Sequence, residues 1–353
     1  MKKNPFEARL AAFVTKLQDR GLEAAVVFNQ ANVKALTGVD CDNACLLVTA
    51  AGKTVFHTDF RYVPMVHRVA PWLKVGDIKK VIGEKPFAAG KAKWKKLGYE
   101  SSVTHARFQK LEKVFPGAAF TDVDGDIKEL RAVKTADEQD RLRAAEALND
   151  RIWAEAQKQF KAGMTEREMA RVIRHLMIEE GEGEAFETIV CVGKNAAECH
   201  HVPDDTVWNG KEPVLVDMGV KLNGYCSDMT RNLVPARPAK LYRKVYDLVL
   251  EANRRAIAAA KPGMTAGALD KVARDFLTKA GFGKAFGHSL GHGVGIEIHE
   301  APWAAKKQKT VLRPGMSVTI EPGVYLEGNL GVRIEDLVLI TETDCEVISH
   351  SAK

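Results

Sequence analysis

The sequence reads as an α/β (α+β) protein of two domains, the second assembled from two similar halves, and three observations lead there. Strand and helix patterns alternate over residues 1 to about 125. A helix-capping signal then opens a long helical stretch. Beyond it, two segments recur at an offset of one hundred positions: KAGMT at Lys161–Thr165 returns as KPGMT at Lys261–Thr265, and EGEGEAF ending at Phe186 returns as AGFGKAF ending at Phe286. Each copy holds a helix start, a helical stretch and a glycine stop, which is the pattern of duplicated halves. A chain of 353 residues is long enough for two domains that each bury a core.

In chain order, residues 1–128 form the first domain. LEAAVVFN, ACLLVTA and KTVFHTD carry the β-branched and apolar content of strands, and helices are expected over Glu7–Arg20, Tyr62–Val69 and His105–Val114. No constellation of chemical groups stands out in this part. The hydrophilic bridge DVDGDIKELRAVKTADEQD leads into the second domain, residues 129–353. Thr135-Ala136-Asp137-Glu138 resembles a capping box for a helix ending before Gly163, and Thr165 to Glu168 repeats the device for the next helix.

The chemistry lies in the apolar strands that follow. Asp217 sits in PVLVDMG, Asp228 in YCSDMTRNLV, His292 in GHGVGIEIHE, Glu321 in SVTIEPGVY and Glu335 in GVRIEDLVLI. A carboxylate in an apolar strand is costly unless it is paired or bound to a cation. One reading is that some of these acids pair with Arg231 or Arg333. The other is that four carboxylates and one imidazole hold a pair of divalent ions, a donor set of the right hardness.

Turn chemistry places the acids in pairs. Asn223-Gly224 between apolar stretches is a hairpin signal, and a two-residue turn there sets Asp228 opposite Gly219, on the same face as Asp217. The two aspartates are then diagonal neighbours, about 7–8 Å apart. A second turn, LEGNLG, centred on Gly328, sets Glu321 opposite Glu335, with Pro322-Gly323 distorting the first strand. Two acids from each half place the metals on the internal axis of the domain.

Composition excludes several other classes. The net charge of +6 is small for this length, and clusters such as Lys91–Lys96 and Lys306–Lys309 are read as solvated surface, not a nucleic-acid interface. No apolar run reaches membrane-spanning length, and the N-terminal segment MKKNPFEARLAAF lacks the features of a signal peptide. The six cysteines form no disulfide or zinc framework, and Cys41 and Cys45 are read as core thiols. A reducing cytoplasm is the expected compartment.

The motifs NAAECHH, VLVDMG, YCSDMTR, GHSLGHGVGIEIHE, TIEPGVY and GVRIED resemble, in order and spacing, those of the methionine aminopeptidase and prolidase superfamily, over roughly residues 130–350. The resemblance implies a pita-bread catalytic domain. ANVKALTGVD and TVFHTDFRY are similar to the creatinase/prolidase-type N-terminal domain, with Ala35 where many relatives carry tyrosine. By the same resemblance Asp217 would bind one metal, Asp228 and Glu335 would bridge two, and His292 with Glu321 would complete the other. Two divalent ions so held would bring the pKa of a shared water toward neutrality and polarise the scissile carbonyl. Glu321 would move the proton. His200 would contact the substrate and His299 would stand beside the scissile carbonyl. His288 fits a pocket position, and its spacing to His292, helical in a zinc site, is set among glycines that oppose a helix. Phe186 is read as pocket wall or as core.

Two departures bear on substrate preference. Cys199 stands where proline is common, and Trp303 stands where relatives often carry a basic residue. The resemblance implies a dinuclear metallopeptidase, with manganese or cobalt (zinc or iron as alternatives), acting on peptides with proline in second position, and a homodimer. Xaa-Pro aminopeptidase-like cleavage is the expected activity. The alternatives are an Xaa-Pro dipeptidase (prolidase), a methionine aminopeptidase, and a pita-bread binding protein without catalysis. The complete ligand set disfavours the last and also metal-free, creatinase-type chemistry.

Overall fold

The computed structural model describes residues 4–82 and 94–353. Of the first lysine cluster, residues 91–93 lie outside the described residues. The chain divides into two compact units, Met1–Arg131 and Ala132–Lys353.

In the first unit, the helix Pro5–Asp19 opens with proline in its first turn and with Asn4 accepting the Phe6 N–H. A six-stranded sheet runs in the order Lys74–Asp77, Thr54–Thr58, Cys45–Thr49, Ala24–Val27, Lys96–Tyr99, Ala119–Asp122. The central strand Ala24–Val27 is buried throughout, so its residues feed apolar clusters on both faces. The expected helices are present as Pro5–Asp19, Val63–Val69 and His105–Val114. Cys41 and Cys45 are buried in this core as free thiols.

The second unit repeats one plan. In the first half, helices Ala136–Gln159 and Glu166–Glu180 pack on a sheet ordered Met229–Leu233, Val214–Met218, Ile189–Val192. In the second, helices Lys240–Ala259 and Ala266–Lys279 pack with a sheet ordered Ser317–Ile320, Asp336–Ile340, Cys345–Val347. Each half has its own apolar cluster. Thr135 and Thr165 form complete capping boxes with Glu138 and Glu168, and Thr265 caps the helix corresponding to that of Thr165. The two related helix starts make matching bridges, Thr165 to Val207 and Thr265 to Val311.

Both hairpins keep the expected register. Leu222 pairs with Tyr225 across the turn, Asn223 and Gly224 take positive φ of 51° and 71°, and the same register carries on to Met218 opposite Met229. Gly219 is needed for a different reason. A Cβ there would lie 2.2 Å from the Ser227 carbonyl oxygen and 2.6 Å from the Phe186 ring, so only glycine lets the facing strands close between the two aspartates. In the second hairpin Leu326 pairs with Leu330 and Ile320 with Asp336, which sets Glu321 across from Glu335. The first strand of that hairpin breaks at Glu321-Pro322, between Ser317–Ile320 and Gly323–Leu326.

Candidate metal centre

The strands and the loops that join them bring all ten residues singled out from the sequence to one cavity of about 440 Å³ in the second unit: Asp217, Asp228, His292, Glu321 and Glu335, with His200, His288, His299, Phe186 and Trp303. Asp228, His292 and Glu335 are buried, and each offers a ligand atom within 4.8 Å of the others. His292 Nε2 stands 3.5 Å from Asp228 and 3.4 Å from Glu321. Its Nδ1 faces the Gly293 carbonyl at 3.1 Å and must donate to it, which leaves Nε2 as the lone-pair donor.

The electrostatics are those of a site short of positive charge. Burial first, then repulsion from Glu335, Asp217 and Glu321, raises the Asp228 pKa well above the carboxylate range. Glu335 is raised in the same way, by burial and then by Glu321 and Asp217. Burial pushes Glu321 up to about 8, and pulls His292 down to about 4. Carboxylates this close cannot all ionise without cations among them. Asp217 adds a further sign, because its buried Oδ1 has no partner among the described residues. A hard, oxygen-rich donor set with one neutral imidazole fits divalent cations.

The alternative reading of these acids holds for one of them. Arg333, 3% exposed, donates from its Nη2 to Asp217 Oδ2 at 2.6 Å, from its Nε to Thr230 and from its Nη1 to Tyr325. Arg231 is engaged elsewhere, with Asp336 and the Glu335 carbonyl. Arg333 also starts a relay that the sequence did not disclose. It donates to the Tyr325 hydroxyl, the hydroxyl reaches His288 Nε2 at 2.9 Å, and His288 Nδ1 meets the Ser289 carbonyl at 2.7 Å. The relay suits a neutral imidazole. Burial, followed by the charge of Arg333, pulls His288 down to about 4.

Around the acids stand the residues expected to meet substrate. His299 packs edge-on to His292, with ring centroids 4.4 Å apart, and Trp303 stacks on His299 at 6.2 Å. Trp303 is 43% exposed, so the indole forms a wall and not part of the core. Phe186 lies on the cavity and against Gly219. His288 and His292 do not share a helix; His292 lies in the strand Gly291–Gly293.

Sequence reasoning missed Glu146, which is fully buried and accepts from the Asp228 backbone N–H and from Ser349. An acid in the amphipathic helix Ala136–Gln159 looks like a surface residue in the sequence, and no local pattern marks it otherwise. Glu166 was missed for the same reason.

Comparison with known proteins gives concordant findings. The sequence profile of metallopeptidase family M24 matches residues 140–342, and that of the creatinase/prolidase N-terminal domain matches residues 9–133. An Xaa-Pro dipeptidase of Pyrococcus furiosus is 40% identical over 258 residues, 73% of this chain and 74% of that protein. The solved structure of an Xaa-Pro dipeptidase from Bacillus anthracis superposes with a TM-score of 0.93 at 30% identity, covering 99% of this chain and 98% of that one. An X-Pro aminopeptidase from Thermotoga maritima MSB8 superposes with a TM-score of 0.85 at 32% identity, covering 94% and 96%.

Proposed function

The chain belongs to metallopeptidase family M24, with a creatinase/prolidase N-terminal domain, and from that membership we propose that it hydrolyses the bond between an N-terminal residue and a following proline. The observation that carries the reading is the convergence of four carboxylates and His292 on one cavity with too little positive charge for them. Asp217, Asp228, His292, Glu321 and Glu335 would hold two divalent cations. Such ions supply an activated water and polarise the scissile carbonyl. Manganese or cobalt suits the donor set, with zinc or iron as alternatives.

The remaining roles fall to the chain's own groups. Glu321 lies on the cavity beside His292 and is the candidate to move the proton from the water to the leaving amine. His200 and His299 line the cavity and can donate hydrogen bonds to the peptide carbonyl and its tetrahedral successor. His288, held neutral by burial and then by the charge of Arg333, and oriented by Tyr325, positions substrate as an uncharged wall. Phe186 and Trp303 add apolar area.

Within this activity we propose that longer Xaa-Pro-Yaa peptides are preferred over Xaa-Pro dipeptides. A dipeptide ends in a carboxylate beside its proline and gains from a cation at that point. Among the described residues Arg333 supplies the one guanidinium of the cavity lining and no lysine lines it, and that guanidinium is already bonded to Asp217, Thr230 and Tyr325. Trp303 offers an indole instead. The dipeptidase names of two relatives favour the second reading, a prolidase. Hydrolysis of Ala-Pro and Ala-Pro-Ala, with metals supplied one at a time to stripped protein, decides. Higher kcat/KM on Ala-Pro-Ala, and a shift toward Ala-Pro in Trp303→Arg, are expected. Higher kcat/KM on Ala-Pro in the wild type would make prolidase the better description, and no hydrolysis of either with any metal would sink the peptidase reading.

A homodimer in the cytoplasm completes the proposal. All six cysteines are free, in keeping with a reducing compartment. No helix among the described residues is long and apolar enough to cross a membrane.

A further inference from the structure

Behind the cavity, one carboxylate gathers an entire loop. Glu166 is the first residue of the helix Glu166–Glu180 and is 0% exposed. Its Oε1 accepts from the Val192 N–H at 2.6 Å and from Asn195 Nδ2 at 2.9 Å. Its Oε2 accepts from His201 Nε2 at 2.7 Å and from the Asp204 N–H at 3.1 Å. The four donors come from the start, the middle and the end of the segment 192–204. That segment carries His200 to the cavity, and His200 is exposed there while His201, its neighbour, is 9% exposed on the Glu166 side.

The duplicated half shows that the fold itself does not require this carboxylate. The position matching Glu166 in the second half is Ala266, also 0% exposed. Both residues direct their backbone N–H to a threonine carbonyl, Glu166 to Thr206 and Ala266 to Thr310, and both follow a capping threonine. The helix start is therefore built equally well with alanine. What differs is the segment that follows: the second half presents His292 from the strand Gly291–Gly293, whereas His200 reaches the cavity on a loop tied together by Glu166. Glu166, His201 and Asp204 could also be read as a metal group. The hydrogen bonds decide against that reading, because both oxygens of Glu166 are already filled by two donors each.

We propose that the Glu166–His201 pair is a positioning device for His200: the buried carboxylate anchors His201, and through the shared backbone fixes where the adjacent imidazole meets substrate. The inference rests on the role given to His200 above. His201 also borders the cavity, but its Nε2 is bonded to Glu166, and the part assigned to it is that of a positioning residue. Its loss leaves Glu166 short of one donor and releases the middle of the loop, and a displacement of about 1 Å in a substrate-contacting group costs on the order of 100-fold in rate.

The test is a double-mutant cycle on the metal-loaded full chain with an Ala-Pro-Xaa peptide. Metal content and thermal unfolding are checked for every variant. His201→Phe should lower kcat by about tenfold or more with both metals retained, while His201→Gln, which can still donate to Glu166, should keep kcat within about threefold. In a His200→Ala background, His201→Phe should cost less than about twofold, because its effect runs through the side chain already removed. Equal losses in both backgrounds would overturn the inference. So would a normal His201→Phe enzyme beside an impaired His200→Ala one, with the function of His200 left standing. An unimpaired His200→Ala enzyme would overturn the role of His200 itself and the inference with it.

Discussion

His299 and the carboxylates occupy one cavity but answer to different forces, and single substitutions separate them. His299 packs on His292 and Trp303 without lying in the group of closest ligand atoms. His299→Ala should keep both metals and lower turnover by about 100-fold, the scale for one well-placed donor. Asp228→Ala or Glu335→Ala should lose metal, because each removes a buried carboxylate from the group that stands around His292. Metal analysis beside turnover checks the contrast, and loss of metal from His299→Ala would make that residue a ligand. His288 gives a pH signature of its own. Its pKa falls from the ordinary 6.5 to about 4 on folding, so the unfolded chain binds a proton that the folded one refuses between those values. Stability from this group is complete above the unfolded pKa and is lost as pH falls toward the folded one. In metal-stripped protein, urea unfolding at about pH 7 and about pH 4.5 should show a larger loss for the wild type than for His288→Gln. Equal losses would mean that the imidazole is protonated within the Tyr325 relay.

The hairpin that carries Asp217 and Asp228 depends on a contact between backbones. A Cβ on Gly219 meets the Ser227 carbonyl at 2.2 Å, and a main-chain oxygen cannot swing aside as a side chain can. Gly219→Ala should therefore destabilise by about 1–3 kcal/mol and spread the two strands where the aspartates converge. The check is a lower urea midpoint together with a weaker metal isotherm. An unchanged isotherm would mean that the aspartates are set by Arg333 and the neighbouring sheet and not by the closeness of their own strands. Gly331 makes a similar approach to the Ala196 carbonyl, at 1.6 Å for a Cβ, and so ties the strand before Glu335 to the loop that carries His200. The two halves are thus coupled through backbone as well as through the cavity.

Over the second unit as a whole, the carboxylates set fold stability against metal content. Stripped of cations, Asp228, Glu321 and Glu335 remain buried beside one another and are forced toward their protonated forms. Bound cations remove that penalty, and a ligand at one hundred times its Kd adds about 2.7 kcal/mol. Chelation should lower the melting temperature by about 5–10 °C, restored on adding back manganese or cobalt. Scanning calorimetry of chelated and reloaded protein measures this. An unmoved transition would mean that Arg333 and protonation alone neutralise the site.

Much of this molecule was legible in one dimension. The Asn223-Gly224 turn and the Gly328 turn fix which residues face each other, because strand pairing across a short loop follows from local turn geometry and the two-residue period of a strand. The same locality made the capping boxes at Thr135 and Thr165 and the hundred-residue repeat readable, and costly acids in apolar strands marked four of the five ligand candidates. The partners of those groups were not legible. Arg333 could have met any nearby acid, and it meets Asp217 across 116 positions; Glu146 reaches Asp228 across 82, and Glu166 reaches His201 across 35. Buried polar groups are satisfied by whatever donor the packed chain brings within 3 Å or so, and that choice is made by helices docking on sheets far apart in sequence. Local rules could set the acids side by side; only the packing of the two halves could say which cation, imidazole and indole stand around them.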